Sequence, residues 1–248
     1  MPDAASVAAR WMREAESIAV LTGAGVSAES GIPTFRGPGG LWRSYRAEDL
    51  ATPEAFARDP DLVWEWYRFR QKAVAKARPN AGHEALARLE TCARRFTLIT
   101  QNVDGLHRRA GSRAVVELHG SILRARCPAD GSAHALTGEE PEDLRCACGR
   151  LMRPDVVWFG EPLPEKAVAE AERASREAGL FLVVGTSAVV YPAASFPLLA
   201  RSSGGRVIEV NVEETPLTSV ADLSIRGAAA EVLPRLVEEA FPAVREGR

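Results

Sequence analysis

Short apolar runs rich in β-branched residues alternate along the chain with segments of helical periodicity, and no other feature constrains the fold as strongly. The runs that predict strands are residues 18–21, 96–100, 115–118, 180–184, 207–210 and 223–225, and those that predict helices are residues 82–94, 164–178, 193–201 and 229–241. The strand-like runs are apolar throughout, which is typical of strands buried on both faces of a parallel sheet. We therefore predict an α/β fold in which helices cover both faces of a parallel sheet.

Two stretches interrupt this alternation. Residues 37–78 predict helices without a convincing strand, and residues 123–153 contain three of the four cysteines together with many turn-forming residues. We interpret the two stretches as inserts that pack together as a smaller domain. The larger domain, a Rossmann-type domain, then comprises residues 1–36, 79–122 and 154–248, a size that one core can support.

The composition is that of an ordinary globular chain, with 46% hydrophobic residues, 26% charged residues and a net charge of −2. No apolar run approaches the roughly 20 residues that cross a bilayer, and the acidic N-terminal segment lacks the apolar region of a secretory signal. The basic residues are scattered among acids, so no nucleic-acid surface is indicated. We expect a cytoplasmic protein that binds neither membranes nor nucleic acids. The oligomeric state is not indicated.

A glycine-rich turn follows the first predicted strand. Gly23-Ala-Gly25-Val-Ser-Ala28 has the form G-x-G-x-x-A, in which glycines allow the backbone to approach a pyrophosphate near a helix N-terminus. A plain strand-to-helix turn is the alternative. The acidic residue that dehydrogenases carry about 20 positions later is absent, because Glu48 and Asp49 fall in the helical insert. An ordinary dehydrogenase is therefore disfavoured.

The segment after this turn, Pro33-Thr-Phe35-Arg36-Gly37, predicts a loop over the same site. Arg36 can pair with a phosphate group. Phe35 can shield a ribose face from water, or it can equally serve as a core anchor.

Polar residues also follow three other predicted strands. They are Gln101-Asn102-Val-Asp104, Gly185-Thr-Ser187 and Glu209-Val-Asn211. Any one group could cap a helix, but ligands of open α/β sheets bind outside the carboxyl ends of the strands, where all of these residues are expected.

His119 ends the predicted strand 115–118 and precedes a glycine. An imidazole at the carboxyl end of a strand can act as a general base, because its usual pKa lies near neutrality. A structural, hydrogen-bonded histidine is the alternative, and it is the interpretation we adopt for His83, His107 and His134.

Taken together, the motifs GAGVSAESGIPTFRG, TQNVDGLH, HG, MRPDVVWFGE, GTS and EVN resemble those of the sirtuins, the NAD-dependent protein-lysine deacylases. The order and spacing agree from about residue 11 to 240. The resemblance implies a Rossmann-like domain and a smaller domain made of a helical insert and a zinc-ribbon-like insert. It implies that NAD is bound by Gly23, Ala24, Gly25, Glu29, Thr34, Phe35, Arg36, Gln101, Asn102, Asp104, Gly185, Thr186, Ser187, Asn211, Val212 and Ala229.

The resemblance also implies a reaction. The acyl oxygen of an acylated lysine attacks the anomeric carbon of NAD, and nicotinamide leaves. His119, aided by Asn102 and Asp104 in the catalytic site, activates a ribose hydroxyl that attacks the resulting imidate. The products are free lysine, nicotinamide and O-acyl-ADP-ribose. A non-catalytic NAD or ADP-ribose sensor and a protein ADP-ribosyltransferase are the alternatives.

The substrates implied are acylated-lysine proteins or peptides. The resemblance assigns the backbone of Val156, Val157, Trp158 and Phe159 to an edge that pairs with the substrate peptide as an added strand.

Two residues of the helical insert predict the acyl group. Arg70 falls on the apolar face of its predicted helix, among Val63, Tyr67 and Val74, where a charge is costly unless it is paired. An arginine that extends past its apolar stem to water is one explanation. Tyr67-x-x-Arg70 also resembles the pair of the sirtuin subclass that removes malonyl and succinyl groups, and a guanidinium binds a carboxylate through two hydrogen bonds.

The cysteines depart from the two C-x-x-C pairs of the family's zinc ribbon. Cys127 is followed three positions later by Asp130, and Cys146 and Cys148 are separated by one residue. Three thiolates with Asp130 or His134 could complete a Zn²⁺ site, and a metal-free remnant is the alternative. The fourth cysteine, Cys92, is expected to be a small core residue.

Overall fold

The computed structural model describes residues 3–33, 41–42, 45–138 and 143–243. Its strands are β1 (Ile18–Thr22), β2 (Leu41–Trp42), β3 (Tyr45–Arg46), β4 (Phe96–Thr100), β5 (Val115–Glu117), β6 (Gly120–Arg126), β7 (Ala133–Ala135), β8 (Arg153–Val156), β9 (Leu180–Val184), β10 (Arg206–Asn211) and β11 (Leu223–Arg226). Its α-helices are α1 (Ala4–Glu14), α2 (Gly25–Ala28), α3 (Ala47–Leu50), α4 (Pro53–Arg58), α5 (Pro60–Lys76), α6 (Ala81–Cys92), α7 (Leu106–Arg109), α8 (Glu165–Glu177), α9 (Phe196–Ser202) and α10 (Ala229–Ala240).

A six-stranded sheet in the order β11-β10-β9-β1-β4-β5 forms the centre of the larger unit. All of its pairings are parallel, and Ile18 of β1 lies opposite Phe96 of β4 on one side and Leu180 of β9 on the other. Every residue of β1 and β9 is buried, which confirms the α/β fold with a doubly covered parallel sheet. The strand order changes direction between β1 and β9, and such switch points create a ligand crevice at the carboxyl ends of the strands.

Helices cover both faces of this sheet. On one face α1, α6 and α10 pack with strand residues such as Val20 and Leu98, and on the other α8 and α9 pack around Phe181 and Phe196. Within the described ranges, none of the helices combines the length and the apolar character needed to cross a membrane.

A smaller unit is built from α3, α4 and α5 together with a three-stranded antiparallel sheet in the order β7-β6-β8. Its apolar cluster includes Val63, Trp64 and Tyr67 of α5, Ile122 of β6 and Trp158. Strands β6 and β8 run across the predicted limits of the cysteine-bearing insert, at 122/123 and 153/154. The domain limits themselves stay a prediction.

Two features of the structure differ from expectation. Strands β2 and β3 pair within the stretch for which no strand was predicted, because two residues per strand are too few to produce a periodic pattern. Cys92 is exposed, so its prediction as a core residue was wrong. It is the last residue of α6 and does not belong to the buried face of that helix, which is formed by residues such as Ala85, Leu86 and Leu89.

Helix α5 contributes buried residues, among them Val63, Trp64 and Tyr67, to the apolar cluster of the smaller unit. Asp59 caps it by accepting a hydrogen bond from the backbone N–H of Leu62 at 3.0 Å, and Pro60 occupies the first turn, where its missing N–H costs nothing. At the other end, Arg109 donates to the carbonyl oxygens of Val74 and Ala77. The helix is therefore anchored at both termini.

Candidate active site at the carboxyl ends of the strands

The turn after β1 and the turn after β9 are in direct backbone contact. The N–H of Gly25 donates to the carbonyl oxygen of Gly185 at 2.8 Å. A Cβ atom added to Gly25 would lie 2.7 Å from that oxygen, and one added to Gly23 would lie 2.7 Å from the Cβ of Thr186. Gly185 has a φ of +58°, a left-handed conformation that favours glycine. These three glycines are therefore required by the close packing of the two turns.

Ser27 carries the only side-chain hydroxyl of the glycine-rich turn, residues 23–28. It links two of the predicted catalytic residues. Its Oγ donates to Oδ2 of Asp104 at 2.8 Å and accepts from Nδ2 of Asn102 at 3.1 Å. Asn102 also donates to the carbonyl oxygen of Gly23 at 3.0 Å. The amide and the carboxylate are therefore held against the glycine-rich turn.

Burial raises the pKa of Asp104, although hydrogen bonds from Leu106 and Ser27 act in the opposite direction. A carboxyl group with a raised pKa in a crevice is typical of functional sites.

The ends of β4, β9 and β10 are joined through Thr186. The side-chain amide of Gln101 donates to its Oγ1 at 2.9 Å, and that of Asn211 donates to its carbonyl oxygen at 2.8 Å. Ser187 and Val212 follow these strands as exposed residues. The structure thus brings the polar groups of these strand ends into one network at the sheet edge.

His119 lies at the end of β5 with its ring beside the same edge. Its Nδ1 is 2.9 Å from the carbonyl oxygen of Gln101. Because a carbonyl oxygen can only accept, Nδ1 carries the proton and Nε2 keeps its lone pair. Burial lowers the pKa of His119, and the bond to Gln101 partly opposes this effect. The neutral ring is therefore the favoured form, as a general base requires.

Two further predicted NAD residues lie near the start of α10. The backbone N–H of Ala230 donates to Oε2 of Glu29 at 2.9 Å, so the Glu29 carboxylate already satisfies a donor at the helix N-terminus. Ala229 is buried next to it, and Ala24 precedes α2 as its N-terminal flanking residue. The predicted residues Thr34, Phe35 and Arg36 lie outside the described residues.

The predicted acyl-binding pair lies on α5. The Tyr67 side chain is fully buried, and that of Arg70 is half-buried with its guanidinium carbon 4.9 Å from the ring centre of Trp66 and 5.8 Å from that of Tyr67. Burial lowers the pKa of Arg70, and the negative charge of Asp104 opposes this effect. The guanidinium therefore lies within electrostatic reach of the site.

The predicted peptide-binding segment, residues 156–159, already uses some of its backbone donors inside the chain. The N–H of Val157 donates to the carbonyl oxygen of His119 at 3.0 Å, and that of Phe159 donates to the carbonyl oxygen of Ala51 at 2.9 Å. A substrate peptide could pair with these two N–H groups only if they first gave up their bonds to His119 and Ala51. The peptide edge stays a prediction.

A cluster of possible metal ligands lies in the smaller unit. One donor atom each from Cys127, Asp130, Cys146 and Cys148 all lie within 4.8 Å of one another. The two sulfur atoms of Cys127 and Cys148 are 3.5 Å apart, and Sγ of Cys146 is 3.7 Å from Oδ2 of Asp130. His134, the other candidate ligand, is an exposed residue of β7 and is not a member of this group.

Comparison with known proteins decides the family. A sequence model described as the Sir2 family matches residues 23–192. The chain belongs to the Sir2 family. Among the relatives of this Sir2 chain, the NAD-dependent protein deacylase 2 of Pyrobaculum aerophilum is 60% identical over 222 residues, covering 89% of each chain. The NAD-dependent protein deacylase of Thermococcus kodakarensis is 54% identical over 239 residues, covering 93% of each.

Solved structures agree with the Sir2 assignment. A Sir2 homologue crystallised as a complex with NAD has a TM-score of 0.89 at 50% identity, over 94% of this chain and 92% of that one. A Sir2 protein with p53 peptide and NAD⁺ has a TM-score of 0.84 at 36% identity, over 94% of this chain and 97% of that one. The resemblance to sirtuins and the Rossmann-like fold with a smaller, cysteine-bearing unit are therefore confirmed.

Two side chains of this Sir2 chain were missed as site residues by sequence reasoning. Ser27 is the hydroxyl within the glycine-rich turn, and its position there is the signal that could have identified it. Trp158 was considered only for its backbone, whereas its indole N–H donates to the hydroxyl of Tyr67 at 2.9 Å. No local pattern predicts that contact, because the two residues are 91 positions apart.

Proposed function

We propose that this chain is an NAD-dependent protein-lysine deacylase whose products are free lysine, nicotinamide and O-acyl-ADP-ribose. The observation that carries the proposal is the geometry of His119, an imidazole whose Nδ1 is bound to the backbone carbonyl of Gln101 and whose Nε2 is left as a base. Relatives named as NAD-dependent protein deacylases support it.

In the proposed reaction each group has a separate task. The glycine-rich turn allows the dinucleotide phosphates to approach its backbone closely, because Gly23 and Gly25 carry no side chain. Asn102 and Asp104 orient the ribose. His119 accepts a proton from a ribose hydroxyl at Nε2, so that this oxygen attacks the imidate carbon. The lysine amine then leaves with a proton, and a water molecule adds to the acyl carbon, which remains on one ribose oxygen as O-acyl-ADP-ribose. A base is required only after nicotinamide has left.

The test is to incubate the protein with NAD and an acetyl-lysine peptide and to measure nicotinamide, deacylated peptide and O-acetyl-ADP-ribose. His119→Ala should lower deacylation by about 10²–10⁴-fold. It should retain exchange of labelled nicotinamide into NAD, because that step precedes the base. Nicotinamide release without peptide deacylation, with ADP-ribose added to protein, would favour an ADP-ribosyltransferase. Binding of NAD without any peptide-dependent release would favour a sensor.

We further propose that Tyr67 and Arg70 bind the terminal carboxylate of a succinyl or malonyl group. The two lie one helical turn apart on α5, and the charge of Arg70 is close enough to Asp104 to be influenced by it. A carboxylate only accepts hydrogen bonds, and a guanidinium and a phenol hydroxyl both donate them. An acetyl group has no atom to fill this position.

This specificity is tested with matched succinyl-lysine and acetyl-lysine peptides. Arg70→Met should lower kcat/KM for the succinyl peptide by about 10- to 100-fold, as expected for charge-assisted hydrogen bonds, and should affect the acetyl peptide far less. Arg68→Met is the matched control, because Arg68 belongs to the same helix but stacks near Trp64 with its guanidinium carbon 5.6 Å from the ring centre. An equal fall of both activities in Arg70→Met would overturn the assignment.

We also propose that Zn²⁺ is held by Cys127, Cys146, Cys148 and Asp130. In a tetrahedral site with the usual Zn–S and Zn–O lengths, neighbouring ligand atoms lie about 3.6–3.8 Å apart. The 3.5 Å separation of Cys127 and Cys148 and the 3.7 Å separation of Cys146 and Asp130 are close to these values, and all four donor atoms lie within 4.8 Å of one another. The ion would tie the turn between β6 and β7 to the segment that contains the other two cysteines, which is a structural role.

Metal analysis of protein purified without chelator tests the proposal, with one equivalent of zinc as the expected result. Asp130→Ala should lower the zinc content, and His134→Ala should not. With Co²⁺ in place of zinc, Asp130→Cys should strengthen the thiolate-to-cobalt absorption by about one third, because three thiolates become four. Zinc that survives Asp130→Ala but is lost in His134→Ala would reverse the choice of the fourth ligand.

A further inference from the structure

A buried hydrogen bond joins the acyl-binding helix to the segment after β8. The indole Nε1–H of Trp158 donates to the hydroxyl oxygen of Tyr67 at 2.9 Å, and the two side chains are 3% and 0% exposed. Indole has a single polar hydrogen and no acceptor, so the direction of this bond is unambiguous. The phenol oxygen is the acceptor.

This direction determines what the Tyr67 hydroxyl can do next. A phenol has one hydrogen and an oxygen with acceptor capacity. Because Trp158 occupies acceptor capacity, the phenol hydrogen is directed elsewhere, and any further partner of that hydrogen must be an acceptor. Burial raises the pKa of Tyr67, so the phenol stays protonated at neutral pH.

The indole itself is held firmly. The guanidinium carbon of Arg153 lies 3.3 Å from the centre of its ring system, and the ring of Phe56 lies 5.3 Å away at a tilt of 47°. The backbone N–H of Trp158 donates to Oε2 of Glu161 at 2.9 Å, and Arg153 donates to the same carboxylate. The indole N–H is therefore fixed relative to both α5 and the predicted peptide edge.

We propose that Trp158 is a positioning residue for acyl recognition, whose indole N–H orients the Tyr67 hydroxyl as a donor to the carboxylate of an acidic acyl group. This inference rests on the proposed role of Tyr67 and Arg70. Chains of hydrogen bonds polarise one another, so a phenol that accepts from an indole is also a stronger donor. An acetyl group has no carboxylate to receive this bond, so the contribution of Trp158 falls on selectivity between acyl groups.

The first test replaces the indole N–H and keeps an aromatic ring. In Trp158→Phe, the ratio of kcat/KM for succinyl-lysine over acetyl-lysine peptide should fall about three- to tenfold, the range of one hydrogen bond. The fall should come from a higher KM for the succinyl-lysine peptide. Tyr67→Phe should lower the same ratio. The double variant should fall no further than Tyr67→Phe alone, because the indole acts only through the hydroxyl.

Trp64→Phe is the matched control. The indole N–H of Trp64 donates to the backbone carbonyl of Met152 at 2.9 Å within the same apolar cluster, so its loss removes a buried bond of equal length. That variant should lose thermal stability without a change in the ratio. An unchanged ratio in Trp158→Phe, or additive losses in the double variant, would overturn the role of Trp158.

A second measurement, by NMR, leaves Trp158 unchanged and so does not depend on whether a Trp158 variant folds. In protein labelled with ¹⁵N in its five tryptophans, the indole resonance that moves most in Tyr67→Phe belongs to Trp158. That resonance should shift when succinyl-lysine peptide is added with NAD, and should shift much less with acetyl-lysine peptide. Equal shifts would contradict the inference.

If Arg70→Met and Tyr67→Phe leave the ratio unchanged, the acyl assignment fails and this inference fails with it. If they lower the ratio and Trp158→Phe does not, only the inference fails.

Discussion

Nδ1 of His119 is hydrogen-bonded to the carbonyl oxygen of Gln101 at 2.9 Å. The carbonyl belongs to the residue directly after β4, so the orientation of the ring is set by the sheet and not by a mobile side chain. Burial lowers the pKa of the ring below its ordinary value, and the hydrogen bond recovers part of the shift. Both effects bear on the pH range in which His119 can act as the proposed base.

The first prediction concerns pH. A base with a lowered pKa stays neutral to lower pH, so kcat/KM for deacetylation should be flat from about pH 8 to 6.5 and should fall only below about 6.5, the ordinary pKa of histidine. Steady-state kinetics with an acetyl-lysine peptide across this range measure this acidic limb of the pH profile. The residual activity of His119→Ala should not show the fall at low pH. An acidic limb centred above pH 7 would contradict the role of burial at this ring.

The second prediction concerns Gly120, which follows His119. Its φ is +77°, and a Cβ added there would lie 2.1 Å from the carbonyl oxygen of Asp155. Gly31 has a similar φ of +82° but nothing within 4 Å of such a Cβ. Gly31→Ala should cost only the left-handed strain, about 1–2 kcal/mol. Gly120→Ala should cost roughly 1–3 kcal/mol more in unfolding free energy.

Urea unfolding of the two glycine variants measures this difference. Because β6 begins at Gly120, the clash should also displace His119 and lower kcat of Gly120→Ala, whereas Gly31→Ala should leave His119 in place. Equal destabilisation by the two substitutions would show that the left-handed backbone conformation, and not the clash with the Asp155 carbonyl oxygen, determines the need for glycine at position 120.

The main sheet could be predicted from the sequence because burial on both faces leaves an unmistakable signature. The predicted limits 96–100 and 180–184 coincide with β4 and β9. The helical period likewise placed Val63, Tyr67 and Val74 on one buried face of α5. In each case a single local property, continuous or periodic apolarity, determines the structure.

The rest depends on contacts between distant parts of the chain. Strands β6, β7 and β8 carry charged and turn-forming residues, and their register follows from pairing that no local pattern encodes. Ser27 reaches Asp104 across 77 positions. The sequence alone also left open whether Asp130 or His134 joins the three cysteines, because that depends on where β7 lies in the fold.

The third prediction concerns the buried ion pair between Arg153 and Glu161, next to the predicted peptide-binding segment. The Arg153 side chain is 8% exposed, and its guanidinium donates to Glu161 at 2.9 Å. Burial alone raises the pKa of Glu161, but hydrogen bonds from Arg153 and Trp158 outweigh it and lower the pKa. Glu161→Gln should destabilise the fold by about 2–4 kcal/mol, because a buried charge loses its partner.

Glu16→Gln is the comparison for that variant. Glu16 pairs with Arg94 on the surface, with the two side chains 68% and 72% exposed, and exposed pairs contribute about 0–1 kcal/mol. Thermal and urea unfolding of both variants at neutral pH measure the contrast. A similar small effect at both positions would mean that Arg153 is solvated in the absence of its carboxylate.

His83 and His107 form a buried pair behind the active site, with ring centres 4.8 Å apart. Burial lowers the pKa of His83 to about 4. Burial, and then the neighbouring His83, lower that of His107 to about 3. Ser27 and Asn80 lie within hydrogen-bond distance of the His83 ring, and Thr22 lies within that distance of the His107 ring. Protonation of either ring would therefore place a charge under the glycine-rich turn.

The fourth prediction is that the fold loses stability in mild acid because of these two rings. The unfolded chain takes up protons below about pH 6.5 while the folded rings stay neutral, so unfolding becomes easier as pH falls from 6.5 toward 4. Each ring contributes a slope approaching about 1.4 kcal/mol per pH unit. Urea unfolding between pH 7.5 and 5, above the range of most carboxylates, measures it. His107→Gln should reduce the slope but not abolish it, since His83 and His119, whose pKa values are also lowered by burial, remain. An unchanged slope would assign the acid sensitivity to other groups.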